Sequence, residues 1–149
     1  MQMGDASLTR RLVLVAAGAL VDERGRVLIA QRPAHKALGG LWEFPGGKLE
    51  PGESPEAALV RELKEELEIE VVRENLEPFD FASHAYEDFD LLMPLYLLRH
   101  WQGEPRAVEA QALAWARPEE LSAYPMPPAD IGLVERMALR LGDRPGACP

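Results

Sequence analysis

From Leu12 to Val21 the chain is small, β-branched or aliphatic, and the pattern resumes over Val27 to Gln31 after the polar turn Asp22-Glu23-Arg24-Gly25. Two apolar runs around a turn predict a β-hairpin. A loop rich in Pro, Gly and His follows, Arg32 to Leu41, then a short Trp42-Glu43-Phe44 segment that stops at Pro45-Gly46-Gly47. Ser54-Pro55 predicts a helix start, because the Ser hydroxyl can cap free N–H groups and Pro at the first helical position loses no hydrogen bond. The apolar residues Leu59, Val60, Leu63 and Leu67 recur at three- and four-residue intervals. That spacing predicts a helix to about Leu67 with one buried stripe.

Further strands are predicted over Ile69 to Val72, Phe79 to Tyr86, Leu91 to Trp101 and Ala112 to Ala116, with turns at Asp88 and Gly103. Pro94 demotes part of the third to an edge or a bulge. Beyond Tyr124 to Pro128, Ile131, Val134, Met137 and Leu141 recur at helical spacing and predict a closing helix. The expected organisation is an N-terminal extension over 1–11, one domain over 12–141, and a disordered tail over 142–149.

Composition narrows the function. The 149 residues are 47% hydrophobic, enough for the core of one domain. A formal net charge of -9 argues against a broad grip on polymeric nucleic acid, which needs clustered Lys and Arg. A small polyanion would need a cation or a local basic cluster to offset repulsion. The single cysteine, Cys148, allows neither an intramolecular disulfide nor a cysteine-rich zinc site, so a reducing cytoplasm is expected. The longest apolar run falls well short of the ~18 residues that suggest a membrane span, and none is expected.

The chemistry gathers in Gly46-Gly47-Lys48-Leu49-Glu50-Pro51-Gly52-Glu53 and in Arg61-Glu62-Leu63-Lys64-Glu65-Glu66. On a helix, Glu62 lies three residues from Glu65 and four from Glu66, so the carboxylates share one side. Each like-charge pair costs roughly 0.2 to 0.5 kcal/mol in water and more in a cleft. Arg61 and Lys64 offset part of this. A hard divalent cation can offset the rest, since Mg²⁺ prefers oxygen ligands and bridges to phosphates. The Gly46-Gly47 pair lets backbone approach a metal or phosphate closely. A glutamate-rich helix alone is more often a solvated face.

The fuller spacing resembles the Nudix box: Gly47, then Glu53, Arg61-Glu62, Leu63, Glu65-Glu66 and Ile69. A chance match somewhere in the chain is roughly 10⁻⁴ at average residue frequencies. One position departs: the glycine of the family pattern is Glu68 here, where a positive φ is common, so a cost of about 1 kcal/mol or a shifted helix end is expected. The resemblance implies an α/β fold, an α/β/α sandwich with a mixed central sheet. It implies that the Gly46 carbonyl, Glu62, Glu65 and Glu66 bind divalent ions, Mg²⁺ with Mn²⁺ able to substitute, and that Arg61 and Glu53 tie loop to helix by a salt bridge. Glu62 is the expected shared ligand or base, with Glu109 as its competitor for both roles.

Outside the box the chain is similar to the MutT-type branch, through Trp42-Glu43-Phe44-Pro45-Gly46-Gly47, Trp101-Gln102-Gly103-Glu104-Pro105, Glu109-Ala110-Gln111 and Pro127-Pro128-Ala129-Asp130. This implies hydrolysis of (deoxy)nucleoside triphosphates to monophosphate and pyrophosphate, with 8-oxo-dGTP ahead of CTP or modified cytosine nucleotides. Other nucleoside diphosphate derivatives keep the same chemistry. A non-catalytic nucleotide sensor is the alternative of another class, disfavoured by the intact ligand positions. Asp130 is expected to read the base or to cap the final helix. Arg32 and Lys48 are candidate substrate contacts, Tyr86 and Phe89 candidate stacking partners. His35, His84 and His100 show no metal spacing.

Overall fold

The computed structural model describes residues 10–142. Most of the expected N-terminal extension, and the expected tail beyond Gly142 with Cys148, lie outside the described residues. Seven strands and two α-helices follow in the order β1 (Arg11–Leu20), β2 (Val27–Gln31), β3 (Trp42–Glu43), β4 (Gly46–Lys48), α1 (Pro55–Leu67), β5 (Glu77–Ala85), β6 (Phe89–Leu98), β7 (Ala112–Ala116) and α2 (Pro128–Leu141). One sheet is mixed, ordered β4-β1-β6-β5, with β1 parallel to β6; the other is antiparallel, ordered β3-β2-β7.

The architecture is an α/β/α sandwich. Successive β1 residues point to opposite faces, so Ala16 and Leu20 meet Leu59, Leu63 and Leu67 of α1, while Ala17 and Ala19 share a cluster with Leu133, Val134 and Met137 of α2. The strand β2 is buried on both faces, placing Leu28 with α1 and Val27 and Ile29 with α2.

The expected hairpin between the first two strands does not form a ladder. They touch through one bridge, Val21↔Val27, and then diverge into different sheets. The reason is burial on both faces: each run is apolar enough to serve as an interior strand with neighbours of its own. The strand expected over Ile69 to Val72 is also absent. Ile69 and Val71 are buried against α1, but only Glu70 pairs, in a single bridge to Gln102. Pro94 does not make β6 an edge, since β6 lies between β1 and β5; the β1 ladder instead skips from Leu14↔Leu92 to Ala17↔Leu95. Lacking an N–H, proline is accommodated by that gap.

Ser54 caps α1, accepting from the Ala57 N–H at 3.1 Å. At the other end the helix stops at Leu67 without shifting, and Glu68 takes the left-handed conformation itself, φ 60° and ψ 37°. Its N–H reaches the Lys64 carbonyl at 3.0 Å. Its exposed carboxylate lies 3.6 Å from Arg106, a pairing worth little in water. Replacing Glu68 by Gly should therefore stabilise the fold by about 0.5 to 1 kcal/mol, since glycine adopts this backbone without a Cβ clash. Calorimetry should show Tm raised by about 1 to 4 °C; a lower Tm would mean that the side chain contributes more than the strain removes.

Candidate active site

The loop between β4 and α1 is fastened to the helix by one guanidinium. Arg61 donates from Nε to Glu53 Oε2 at 2.7 Å and from Nη2 to Glu53 Oε1 at 2.9 Å, a bidentate pair. Its Nη2 also reaches the Lys48 carbonyl at 3.1 Å, and Nη1 reaches Glu62 at 3.1 Å and Glu65 at 3.4 Å. Glu53 accepts the Glu50 N–H at 2.8 Å as well. Held first by Arg61 and then by that N–H, its carboxyl is lowered to about 2.

The strand β4 brings Gly46 and Gly47 beside β1, opposite Ala17 and Ala16. A Cβ on Gly46, at φ 154°, would strike the Ala16 carbonyl, and one on Gly47 would strike the Glu62 carboxylate. Glycine is needed at both because backbone and carboxylate come this close. One turn along α1, Glu66 hydrogen-bonds to Glu62. The loop after Gly103 brings Glu109 to the same place, because the Arg106 and Val108 N–H groups bond to the Leu67 and Glu66 carbonyls at 3.0 and 3.2 Å.

A cavity of about 190 Å³ opens among Arg32, Lys36, Glu43, Gly46, Glu62, Glu66 and Glu109. Burial, then the neighbouring Glu62, Glu109 and Glu43, push the Glu66 carboxyl up to about 9. A carboxyl so placed keeps its proton until another positive charge replaces it. Among the described residues no three His, Cys, Asp or Glu side chains are gathered as a closed metal cage. Mg²⁺ does not need one, since it retains several waters and takes one or two carboxylates plus substrate phosphates. The donor set, carboxylates and one backbone carbonyl, is all oxygen and suits a hard divalent ion.

A larger cavity of about 610 Å³ adjoins the first, sharing Arg32, Glu43 and Gly46. Its apolar wall is Val13, Val15, Phe44, Leu91 and Met93. Tyr86 and Phe89 also line it, stacked with centroids 5.2 Å apart. At its floor lies Asp130, the one buried charged residue among those described, 4% exposed. Burial first, then the charge of Glu43, raise its carboxyl to about 7, against the lowering effect of the Phe44 N–H that it accepts. Asp130 does not cap α2; it lies in the first turn, and Pro127 occupies the cap position.

Of the expected site residues, Gly46, Glu62, Glu66, Glu109 and Arg32 share the smaller cavity, and Arg32, Lys48 and Asp130 line the larger. Glu65 stands apart, its side chain 53% exposed and bonded to Arg61. Helical spacing stacks Glu62 with Glu66, four apart, and rotates Glu65 toward the rim. Glu43 was not anticipated, yet it lines both cavities and holds Arg32 at 3.1 and 3.3 Å. The available signal was an acidic residue within a short aromatic strand. His35 and His100 are exposed, and His84 packs edge-on against Tyr86.

Comparison with known proteins finds matches over most of the chain. A family model described as the NUDIX domain matches residues 16–136. The CTP pyrophosphohydrolase of Escherichia coli K12 is 48% identical over 126 residues, covering 82% of this chain and 90% of that protein. An 8-oxo-dGTP diphosphatase of Proteus vulgaris is 41% identical over 97 residues, covering 65% and 85%. Among solved structures, the E. coli ORF135 protein superposes with a TM-score of 0.77 at 39% identity, covering 94% of this chain and 96% of that one.

Proposed function

The chain belongs to the Nudix hydrolase family, and from that premise we propose that it hydrolyses nucleoside triphosphates to monophosphate and pyrophosphate with Mg²⁺. The observation that carries this reading is the juxtaposition of Glu62, Glu66 and the Gly46 backbone in a small acidic cavity beside a larger apolar one. The first suits a metal-bound diphosphate linkage, the second a nucleoside. Mg²⁺, or Mn²⁺ in its place, would polarise the phosphate and lower the pKa of attacking water. The Gly46 carbonyl, Glu62 and Glu66 would hold it, with Glu109 in the same cavity as a further candidate ligand, whereas Glu65, turned to the rim and paired with Arg61, is left out of the set.

Glu62 is the proposed proton acceptor, seated against Gly47 and steadied by Arg61; Glu109, exposed at the cavity mouth, is its competitor. Arg61 and Glu53 keep loop and helix in register. Arg32 and Lys48 face the phosphates. Tyr86 and Phe89 receive the base, and the enzyme acts on a cytoplasmic nucleotide pool. The substrates named for its relatives, CTP and 8-oxo-dGTP, are the two candidate classes.

The protonation of Asp130 separates them. A neutral carboxyl donates one hydrogen bond and accepts another, matching cytosine N3 and its exocyclic amine. An ionised carboxylate only accepts, matching the N1–H and exocyclic amine of an oxidised guanine. The raised value near 7 means the acid is neutral below that pH and ionised above it. From pH 6 to pH 8 the neutral fraction falls from about 90% to about 10%. CTP loses its matching form as 8-oxo-dGTP gains its own, so the kcat/KM ratio of CTP to 8-oxo-dGTP should fall about a hundredfold over this interval, and Asp130→Asn should flatten it. A ratio that is flat in the unsubstituted enzyme would remove Asp130 from base reading. ADP-ribose, included in the same comparison, tests the wider diphosphate class.

A further inference from the structure

Leu38 combines two features that a surface loop ordinarily avoids. Its backbone is left-handed at φ 57°, which it shares only with Glu68 among the described non-glycine residues, and the residue is 49% exposed. A left-handed conformation strains a leucine, and exposure forgoes the stabilisation that burial would give. Neither follows from slack in the loop. Arg32 Nε holds the Ala37 carbonyl at 2.8 Å and Gln31 Nε2 holds the Gly40 carbonyl at 3.1 Å, so donors from the end of β2 pin the chain on both sides. The Gly40 N–H returns to the Arg32 carbonyl at 3.0 Å, and a Cβ on Gly39 would collide with the Ala34 backbone.

The loop is thus built to keep Leu38 where it is, and that place is the wall of the larger cavity. Leu38 and Ala37 line it from the loop, Tyr86 from the β5–β6 turn, and Phe89, Leu91 and Met93 from β6. Strain of this kind is retained where the surroundings enforce it for a purpose. We propose that Leu38 is a binding residue for the nucleoside, presenting an apolar side chain to the base in this cavity. This rests on the reading that the cavity takes the base of a nucleoside triphosphate. Leu38 offers no hydrogen bond, so its contribution is apolar contact with any planar base and is independent of the phosphates.

Leu38→Ala and Leu38→Gly separate this role from a structural one. Glycine suits φ 57°, so Leu38→Gly should fold at least as well as the unsubstituted chain. Both variants should raise KM for CTP and 8-oxo-dGTP by about fivefold to twentyfold, with kcat changing less than about twofold, the pattern of lost uniform binding. Inhibition by inorganic tripolyphosphate, which has no base, should be unchanged in both, and Leu38→Met should restore KM. An unchanged KM in Leu38→Gly would overturn the proposal. So would a parallel weakening of tripolyphosphate inhibition, which would show that the loop serves the phosphate site. Failure of the unsubstituted enzyme to turn over either nucleotide would instead remove the reading beneath it, a distinguishable result.

Discussion

Replacing Glu62 by Gln should lower kcat for Mg²⁺-dependent release of pyrophosphate by about 10³-fold, within the range that a positioned proton acceptor and a metal ligand supply. The substitution keeps size and shape. Arg61 still has Glu53, its bidentate partner at 2.7 and 2.9 Å, so the loop stays fastened to the helix. The cluster around Glu66 also loses a like charge, which removes one cause of its raised pKa, second to burial. Without metal, Glu62→Gln should therefore melt no lower than the unsubstituted protein, while the rise in Tm on adding Mg²⁺ should shrink. Lost activity with lost stability would make Glu62 a structural residue. Activity at the original rate would move the chemistry away from α1. Tight nucleotide binding with no turnover in the unsubstituted protein would restore the sensor reading.

Gly47→Ala should lower kcat by about 10²-fold, the penalty expected for misplacing a catalytic group by about 1 Å. The atoms a Cβ would meet are those of the Glu62 carboxylate, the far end of a flexible side chain. The methyl group can therefore be accommodated by swinging Glu62 aside, and the damage falls on the site more than on the fold. Gly46→Ala differs, because there the obstacle is the Ala16 backbone, so that change should lower Tm. If Gly47→Ala retained full activity, the Glu62 carboxylate could not be needed where the structure puts it.

The contrast between these two glycines shows what could be read from the chain alone. Gly47, Glu53, Arg61 and Glu62 were legible because they are bound by fixed spacing along a loop and one helix. Ser54 at the helix cap and the apolar stripe of α1 were legible for the same local reason. What failed depended on partners distant in sequence. The β1–β2 hairpin gave way because each strand found neighbours elsewhere, β1 in β4 and β6, β2 in β3 and β7. Glu43 acquires its meaning only when β3 is set between Glu66 and Asp130, both far along the chain. Asp130, near a proline-rich helix start, invited a capping role. Of the two roles its sequence allows, base contact or cap, the structure removes the cap, since Pro127 holds that position and Asp130 is buried beside Phe44 in the wall of the larger cavity.

Direct metal binding is the measurement closest to the proposed chemistry. Mn²⁺ titration followed by electron paramagnetic resonance should be run on the unsubstituted protein, Glu62→Gln, Glu66→Gln and, as an acidic control away from the site, Glu74→Gln on the turn Arg73–Asn75. Affinity should fall by at least about tenfold in Glu62→Gln and Glu66→Gln and stay unchanged in Glu74→Gln. Equal affinity in all four proteins would contradict the placement of a divalent ion on the α1 carboxylates.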